Sequence, residues 1–349
     1  MTLTLSVDGD RWRAHLRAVA EANPGLTPVA KGNGYGFGLG RLARKAQWLG
    51  VDTLAVGTYD ELPEVASRFD GDLLMLSPWR PFGAAVELDD AVAKRVVHTV
   101  GRLADVDDLL ARQPGARIVL ERLTSMNRHG FSAIDLRTAA ELARGRSTLA
   151  GVAFHLPLAE GKHLDEVHSL MNDVVGAGLS GTTIWVSHLT DDELAQVRSS
   201  YADFDVRPRI GTGLWLGDRG ALRVTATVLD VHELARGDVF GYRGRTAPRA
   251  GHLLVVSGGT AHGIGLESPT GQGSLRARAA TVARGGLDAA GFVRSPFTVD
   301  GKPRLFAEPP HMQASLLLLP QGAQVPEVGD EVDVRVRYTA TTFDRVVVS

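Results

Sequence analysis

The 349-residue sequence contains no cysteine. That absence excludes disulfides, thiolate nucleophiles and cysteine-ligated zinc, and it fits a reducing or an oxidising compartment equally. An excess of charge of one sign is also missing, because 38 Lys and Arg stand against 40 Asp and Glu. No overall positive field favours nucleic acid or an anionic membrane surface, so the expected partner is a small molecule. No apolar run approaches the roughly 18 residues of a membrane helix. The opening MTLTLSVDGDRWRAHL carries acidic residues by position 10 and no apolar core of signal length. A cytoplasmic chain is expected, without a metal, a nucleic-acid partner or a membrane partner. Internal repeats and low-complexity tracts are absent too.

What is present describes a large core with many tight turns: 44% apolar residues, 22% charged residues and 40 glycines. The length accommodates a barrel of about 200–250 residues plus a second module. Short β-branched runs alternate with helical patterns up to residue 217. The strand candidates are TPVAK (27–31), TLAVG (53–57), DLLML (72–76), RVVHTV (95–100), ARIVLER (116–122), GVAFHL (151–156), TTIWVS (182–187) and VRPRIG (206–211). Between them lie helical segments such as LARKAQWLG and HLDEVHSLMNDVVGAG, with the connection around AAVELDD the weakest. Eight such units predict a closed (β/α)8 barrel over residues 1–217, although a doubly wound open sheet shares the alternation. Beyond Gly217 the pattern turns to ALRVTATVLDV, DVFGYRG, GHLLVVSGGT, ARAATVA, DEVDVRVRYTATTF and DRVVVS, predicting a β-domain over 218–349. Within it, FVRSPFTVDGKPRLFAEPPHMQ reads as an excursion towards another site, and the opening TLTLSV is positioned to add a strand to the same domain.

Barrel chemistry sits on the loops that follow the strands. Lys31 closes the first strand, in PVAK followed by GNGYGFG. A lysine held at the end of a buried strand tends to lose its proton, the state that forms a Schiff base, whereas a lysine emerging into solvent does not. The glycine run is neither a Walker loop nor a dinucleotide fingerprint, since the lysine precedes it. It lets backbone approach a ligand, and Tyr35 offers either a hydroxyl to an anion or a packed ring. Gly211, Thr212 and Ser187 follow strands seven and eight, where barrels most often hold phosphate, although a Gly-Thr pair also suits a plain turn. Arg209 and Arg128 bring permanent cations to the same mouth or remain ordinary surface arginines. His155 either supports a flat ring or is a satisfied core histidine.

The run Lys31, Gly32, Asn33, Gly34, Tyr35, Gly36, Phe37, Gly38 resembles the cofactor motif of the alanine racemases, PLP fold type III. GVDTLAVGTYDEL, SMNRHGF, FHL, RIGTGLWLG and ARGDVFGYRGR support the likeness over most of the chain. The resemblance implies pyridoxal 5′-phosphate joined to Lys31. It further implies a phosphate contact from Tyr35, amide contacts from Gly211 and Thr212, an O3′ contact from Arg128, ring support from His155, and Arg209 facing the pyridine nitrogen. An arginine there weakens the cofactor as an electron sink and favours proton transfer over more demanding chemistry. A homodimer is implied as well, the β-domain of one subunit completing the site of the other, with Arg128 and Met312 on the substrate side.

The chain departs from the family where a second base is needed. The tyrosine-bearing motif aligns with Gly259, Thr260, Ala261, His262 and Gly263, and an unactivated threonine hydroxyl is no comparable base. His262 and His311 are the candidate replacements, with a structural histidine the alternative for His262. The position that is commonly a carbamylated lysine in these racemases falls on Glu121, which supplies a negative charge near Arg128 directly or is a solvated carboxylate. The Met-Asp pair becomes Met312 and Gln313, and the chain ends at DRVVVS without the usual tyrosine. VSHLTDD resembles the small single-barrel PLP-binding proteins instead. The expected function is an amino-acid racemase acting by α-proton abstraction. The competing readings are a decarboxylase or aldolase of the same fold, a non-catalytic PLP-binding protein, and a barrel for another phosphorylated ligand.

Overall fold

The computed structural model describes residues 2–158, 163–266 and 293–349. The chain forms two units, one from Arg13–Gly217 and the other from Met1–Trp12 together with Asp218–Ser349.

In the second unit, β1 (Leu3–Val7) belongs to a sheet built mostly from the C-terminal strands. In the first, eight parallel strands close into a barrel. They are β2 (Thr27–Ala30), β3 (Thr53–Val56), β4 (Asp72–Met75), β5 (Val96–Val100), β6 (Arg117–Arg122), β7 (Thr148–His155), β8 (Thr183–Ser187) and β9 (Asp205–Ile210). Closure comes from β9 pairing back on β2, with Thr27 opposite Arg209. All eight predicted strands are present, so the closed barrel and not the open sheet is the architecture.

Strand periodicity explains how the barrel carries a site. Val29, Ala55, Leu74, Val97, Val119, Ala153 and Trp185, one from each of β2 to β8, pack together as a buried cluster. Side chains alternate across a strand with period two, so the residue two places further on faces the same interior, one layer nearer the mouth. That rule carries Val29 to Lys31, Ala55 to Gly57, Val119 to Glu121, Ala153 to His155 and Trp185 to Ser187. On β9 it joins Arg207, Arg209 and Gly211. The helices are held by ordinary devices: Leu39–Leu49 buries Leu39, Leu42, Ala43 and Ala46 on one stripe and ends at Gly50 in the left-handed region. The weak third connection contains only a 3-10 turn, Gly83–Val86, and the four-residue helix Asp90–Ala93.

The remaining strands are β10 (Leu222–Leu234), β11 (Val239–Phe240), β12 (Arg245–Thr246), β13 (Gly251–Ser257), β14 (Arg294–Val299), β15 (Lys302–Phe306), β16 (Ala314–Pro320), β17 (Glu331–Val334) and β18 (Arg345–Val348). β11 pairs with β12, and the others join β1 in an eight-stranded sheet of order β13-β16-β15-β14-β17-β10-β1-β18. β1 runs antiparallel to β10 and parallel to β18. Part of the segment read as an excursion, Arg294–Phe306, forms the β14–β15 hairpin, in which Thr298 opposes Pro303 and Val299 opposes Lys302. Its turn, Asp300 and Gly301 at φ 54 and 67, has the paired positive φ that suits a tight right-twisting hairpin. The strand candidate ARAATVA (277–283) lies outside the described residues.

Candidate active site

The site is built where the barrel's apolar layer gives way to polar residues at the C-terminal ends of the strands. Lys31 emerges from β2 into a loop in which Gly32, Gly34, Gly36 and Gly38 all have positive φ. Tyr35, in the middle, adopts φ 55 itself, which costs a non-glycine residue about 1 kcal/mol or more. The loop thereby turns the Tyr35 ring inward until only 5% of the residue is exposed. Its hydroxyl lies against the bare Cα of Gly211, where any Cβ would overlap the phenol oxygen. Burial pushes the Tyr35 phenol up to about 12, so it is a neutral donor at working pH.

Three cations share this mouth. Desolvation lowers the Lys31 pKa, Arg128 and Arg209 lower it further, and Glu61 acts in the opposite sense. Arg209 is 6% exposed and donates from Nη2 to the Phe154 carbonyl at 2.8 Å, while its buried Nε has no partner among the described residues. Burial brings its pKa down to about 10 against the pull of Glu121, so it stays charged near neutrality. Glu121 is 3% exposed and has a buried Oε2 without a partner among the described residues. Desolvation raises its carboxyl to about 6, opposed by Arg209, Arg128 and Arg80. It is therefore a buried carboxylate within the field of the arginines, and the solvated alternative is excluded by its burial.

His155 accepts or donates a 2.8 Å hydrogen bond at Nδ1 with the Ser187 hydroxyl. Its pKa falls to about 3, first through burial and then through Arg209, Arg128, His188 and Lys31, which keeps the ring neutral. Thr124 fixes the strand end by donating from Oγ1 to the His155 carbonyl at 2.7 Å. Gly211 precedes the short helix Thr212–Leu216, so the Gly211 and Thr212 amides fall where backbone N–H groups have no intrahelical acceptor.

Sequence reading did not single out Glu61, Gly57 or His188. The His188 ring packs edge-on to His155 at 5.3 Å, held by a backbone φ of 67. A histidine adjoining the strand-eight serine was the available signal. For Glu61, the signal was the Thr58-x-x-Glu61 capping spacing after β3.

In the other unit the two histidine candidates separate. His262 accepts from the Gly259 amide at Nδ1 (3.2 Å) and meets Asp344 through Nε2 (3.1 Å), so both ring nitrogens are engaged. His311 donates from Nε2 to Glu308 at 2.7 Å, and among the described residues its Nδ1 makes no hydrogen bond. The Glu308 side chain is 1% exposed. Desolvation opposes its ionisation, yet the Tyr242 amide, His311 and the Arg243 amide together hold its pKa below the usual value. This is the arrangement of a histidine oriented by a buried carboxylate. The Thr260 amide donates to the His311 carbonyl at 2.8 Å and the Ala261 amide to that of Met312 at 2.9 Å, so these two segments are laced side by side. Met312 is 73% exposed.

The chain is similar in sequence and fold to known proteins. The family described as "Alanine racemase, N-terminal domain" matches residues 7–188. The alanine racemase of Mycobacterium bovis is 30% identical over 264 residues, 68% of this chain and 67% of the relative. Among solved structures, alanine racemase from Bartonella henselae with covalently bound pyridoxal phosphate superposes with a TM-score of 0.73 at 16% identity, covering 100% of both chains. Histidine racemase from Leuconostoc mesenteroides subsp. sake gives a TM-score of 0.68 at 16% identity, over 99% of this chain and 98% of that one. No described helix is long and apolar enough to cross a membrane. By sequence match, with a fold that agrees, this chain belongs to the alanine racemase family.

Proposed function

We propose that the chain is a pyridoxal 5′-phosphate-dependent amino-acid racemase in which Lys31 holds the cofactor and exchanges the substrate α-proton on one face. The convergence of Lys31, Tyr35, His155, Arg209 and Gly211 on one barrel mouth carries this reading. The residues fit the cofactor: the Tyr35 hydroxyl against bare Gly211 forms a cradle with amides at its edge, and the buried Arg209 Nε awaits an acceptor. When bound, the cofactor supplies the electron sink that acidifies the α-carbon.

The lowered pKa of Lys31 enlarges the share of free amine, the form that bonds an aldehyde and accepts a proton. Tyr35, Ser187 and the Gly211 and Thr212 amides would hold the phosphate, and Arg128 the ring oxygen beside the substrate. Neutral His155 would support the ring. Cationic Arg209 would donate to the pyridine nitrogen, limiting charge withdrawal and favouring proton transfer over decarboxylation. Inversion also needs a proton donor on the opposite face. Because both nitrogens of His262 are engaged, His311 is the stronger candidate, with Glu308 holding its tautomer. A cytoplasmic homodimer completes the reading.

The test is an absorption spectrum before and after borohydride, with peptide mapping of the modified lysine, followed by an amino-acid panel in deuterated water. Trapping on Lys31 and α-deuteration of at least one amino acid with inversion are expected. Colourless protein that ignores added pyridoxal phosphate overturns the reading.

A further inference from the structure

Glu61 reaches further than its local role requires. In a capping box the glutamate needs only to accept from the amide at the start of its own turn, and Glu61 Oε2 does this with Thr58 N at 3.1 Å. Its other oxygen, Oε1, accepts at 2.7 Å from the amide of Gly32, which follows Lys31 at the end of a different strand. One carboxylate therefore ties together the ends of β2 and β3. Gly57 makes room for it. A Cβ at that position would stand 2.6 Å from Glu61 Oε2 and 2.7 Å from Lys31 Cβ, so the stem of the lysine and the carboxylate meet over a bare Cα. The Gly57 amide also donates to the Ala30 carbonyl at 3.3 Å, immediately before Lys31.

The charge around Lys31 makes the contact chemically relevant. Arg128 and Arg209 face it as cations, His155 and His188 lie in its field, and Glu61 is the acid that opposes them. A lysine that gives and takes a substrate proton alternates between amine and ammonium. Among two arginines, the ammonium needs a nearby anion.

We propose that Glu61 is a positioning residue for Lys31, fixing the direction in which the lysine leaves the barrel and supplying the countercharge to its protonated form. This rests on Lys31 being the reactive amine, but its test does not depend on turnover. The full-length chain, stripped of cofactor, is treated with trinitrobenzenesulfonate over a range of pH, and labelling of Lys31 is followed by peptide mass. Glu61→Gln is expected to move the Lys31 labelling profile to lower pH. Labelling at neutral pH accelerates by about tenfold for each pH unit of movement. Glu61→Asp keeps the charge but withdraws it, so its profile moves less in the same direction. Glu193→Gln is the control, because Glu193 closes a capping box with Thr190 and does not bond an amide of β2 or its loop. It lowers thermal stability and leaves the Lys31 profile in place.

If Glu61→Gln behaves like Glu193→Gln, Glu61 is only a cap and the inference is overturned. Should Glu61→Gln fail to fold, an unshifted profile in Glu61→Asp overturns it equally. Failure of borohydride and pyridoxal phosphate to mark Lys31 in the unaltered chain sinks the racemase reading instead, and the labelling profiles still decide whether Glu61 governs this amine.

Discussion

The barrel mouth and the C-terminal unit differ in how closely their polar residues keep to the family resemblance. At the mouth, Lys31, His155, Arg209 and Gly211 stand at strand ends whose direction is dictated by period two and whose apolar layer lies directly beneath, while Tyr35 and Arg128 come from the loops that follow β2 and β6. In the other unit, Thr260 stands where the resemblance calls for a tyrosine, and a histidine with a buried carboxylate lies on the adjoining segment. The difference teaches that cofactor binding and substrate chemistry are separable here. Under the proposed function, the first rests on the barrel's strand ends and the second on loops of the sheet unit.

The comparison breaks first at Lys31. Lys31→Ala is expected to abolish the borohydride-stable adduct and to lower racemisation by at least the ~10²–10⁴ attributed to a general base, plus the loss of covalent attachment. Retention of covalent cofactor in this variant would mean that another amine holds it.

The two histidines test the C-terminal half. His311→Asn is expected to lower racemisation by about 10²–10⁴ while Lys31 continues to exchange the α-proton of one enantiomer. His262→Ala instead leaves the Gly259 amide without an acceptor and costs about 1–3 kcal/mol of stability, with turnover of the folded fraction retained. Thermal melts and isotope exchange by NMR separate the two outcomes, and a reversed pattern would return the catalytic role to His262.

Much of this is legible in the sequence. Eight β-branched runs with helical spacers specify a barrel because parallel strands buried on both faces read as short continuous apolar runs. Lys31, Tyr35 and Arg209 were legible because strand ends are where barrels act. Glu61 was not, because its second oxygen crosses to another strand and only pairing of β2 with β3 brings Gly32 within reach. The choice between His262 and His311 was equally hidden. It depends on Asp344 and Glu308, 82 and 3 residues away in sequence, and on which ring nitrogens they occupy. The β14–β15 hairpin is hard to read from sequence because Pro296 and Pro303 lie inside its strands, although its Asp-Gly turn is a usable signal.

Within the mouth, Gly211→Ala sharpens the claim that the cradle depends on a missing side chain. The new Cβ must displace the Tyr35 hydroxyl, and overpacking of this kind costs about 1–3 kcal/mol. Pyridoxal phosphate affinity is expected to fall roughly tenfold or more, read by absorption titration. Unchanged affinity would show that Tyr35 and Gly211 do not meet over the phosphate.

The smallest effect concerns Glu121, whose departure from the family lies inside the otherwise faithful half. Its carboxyl titrates near 6 in the folded protein against an ordinary value of 4.5, because burial outweighs the arginines. The folded state therefore binds more protons than the unfolded state between those values, and stability must fall as pH rises through that window. A shift of this size corresponds to about 2 kcal/mol. Glu121→Gln removes the titration, so urea melts between pH 4.5 and 7 should show a shallower loss of stability with rising pH than the unaltered chain. Arg209 meanwhile loses the one acid acting to raise its pKa. Parallel slopes in the two proteins would mean that Glu121 is stably ionised among Arg209, Arg128 and Arg80, and that the barrel has absorbed the change from the family's residue at no cost to folding.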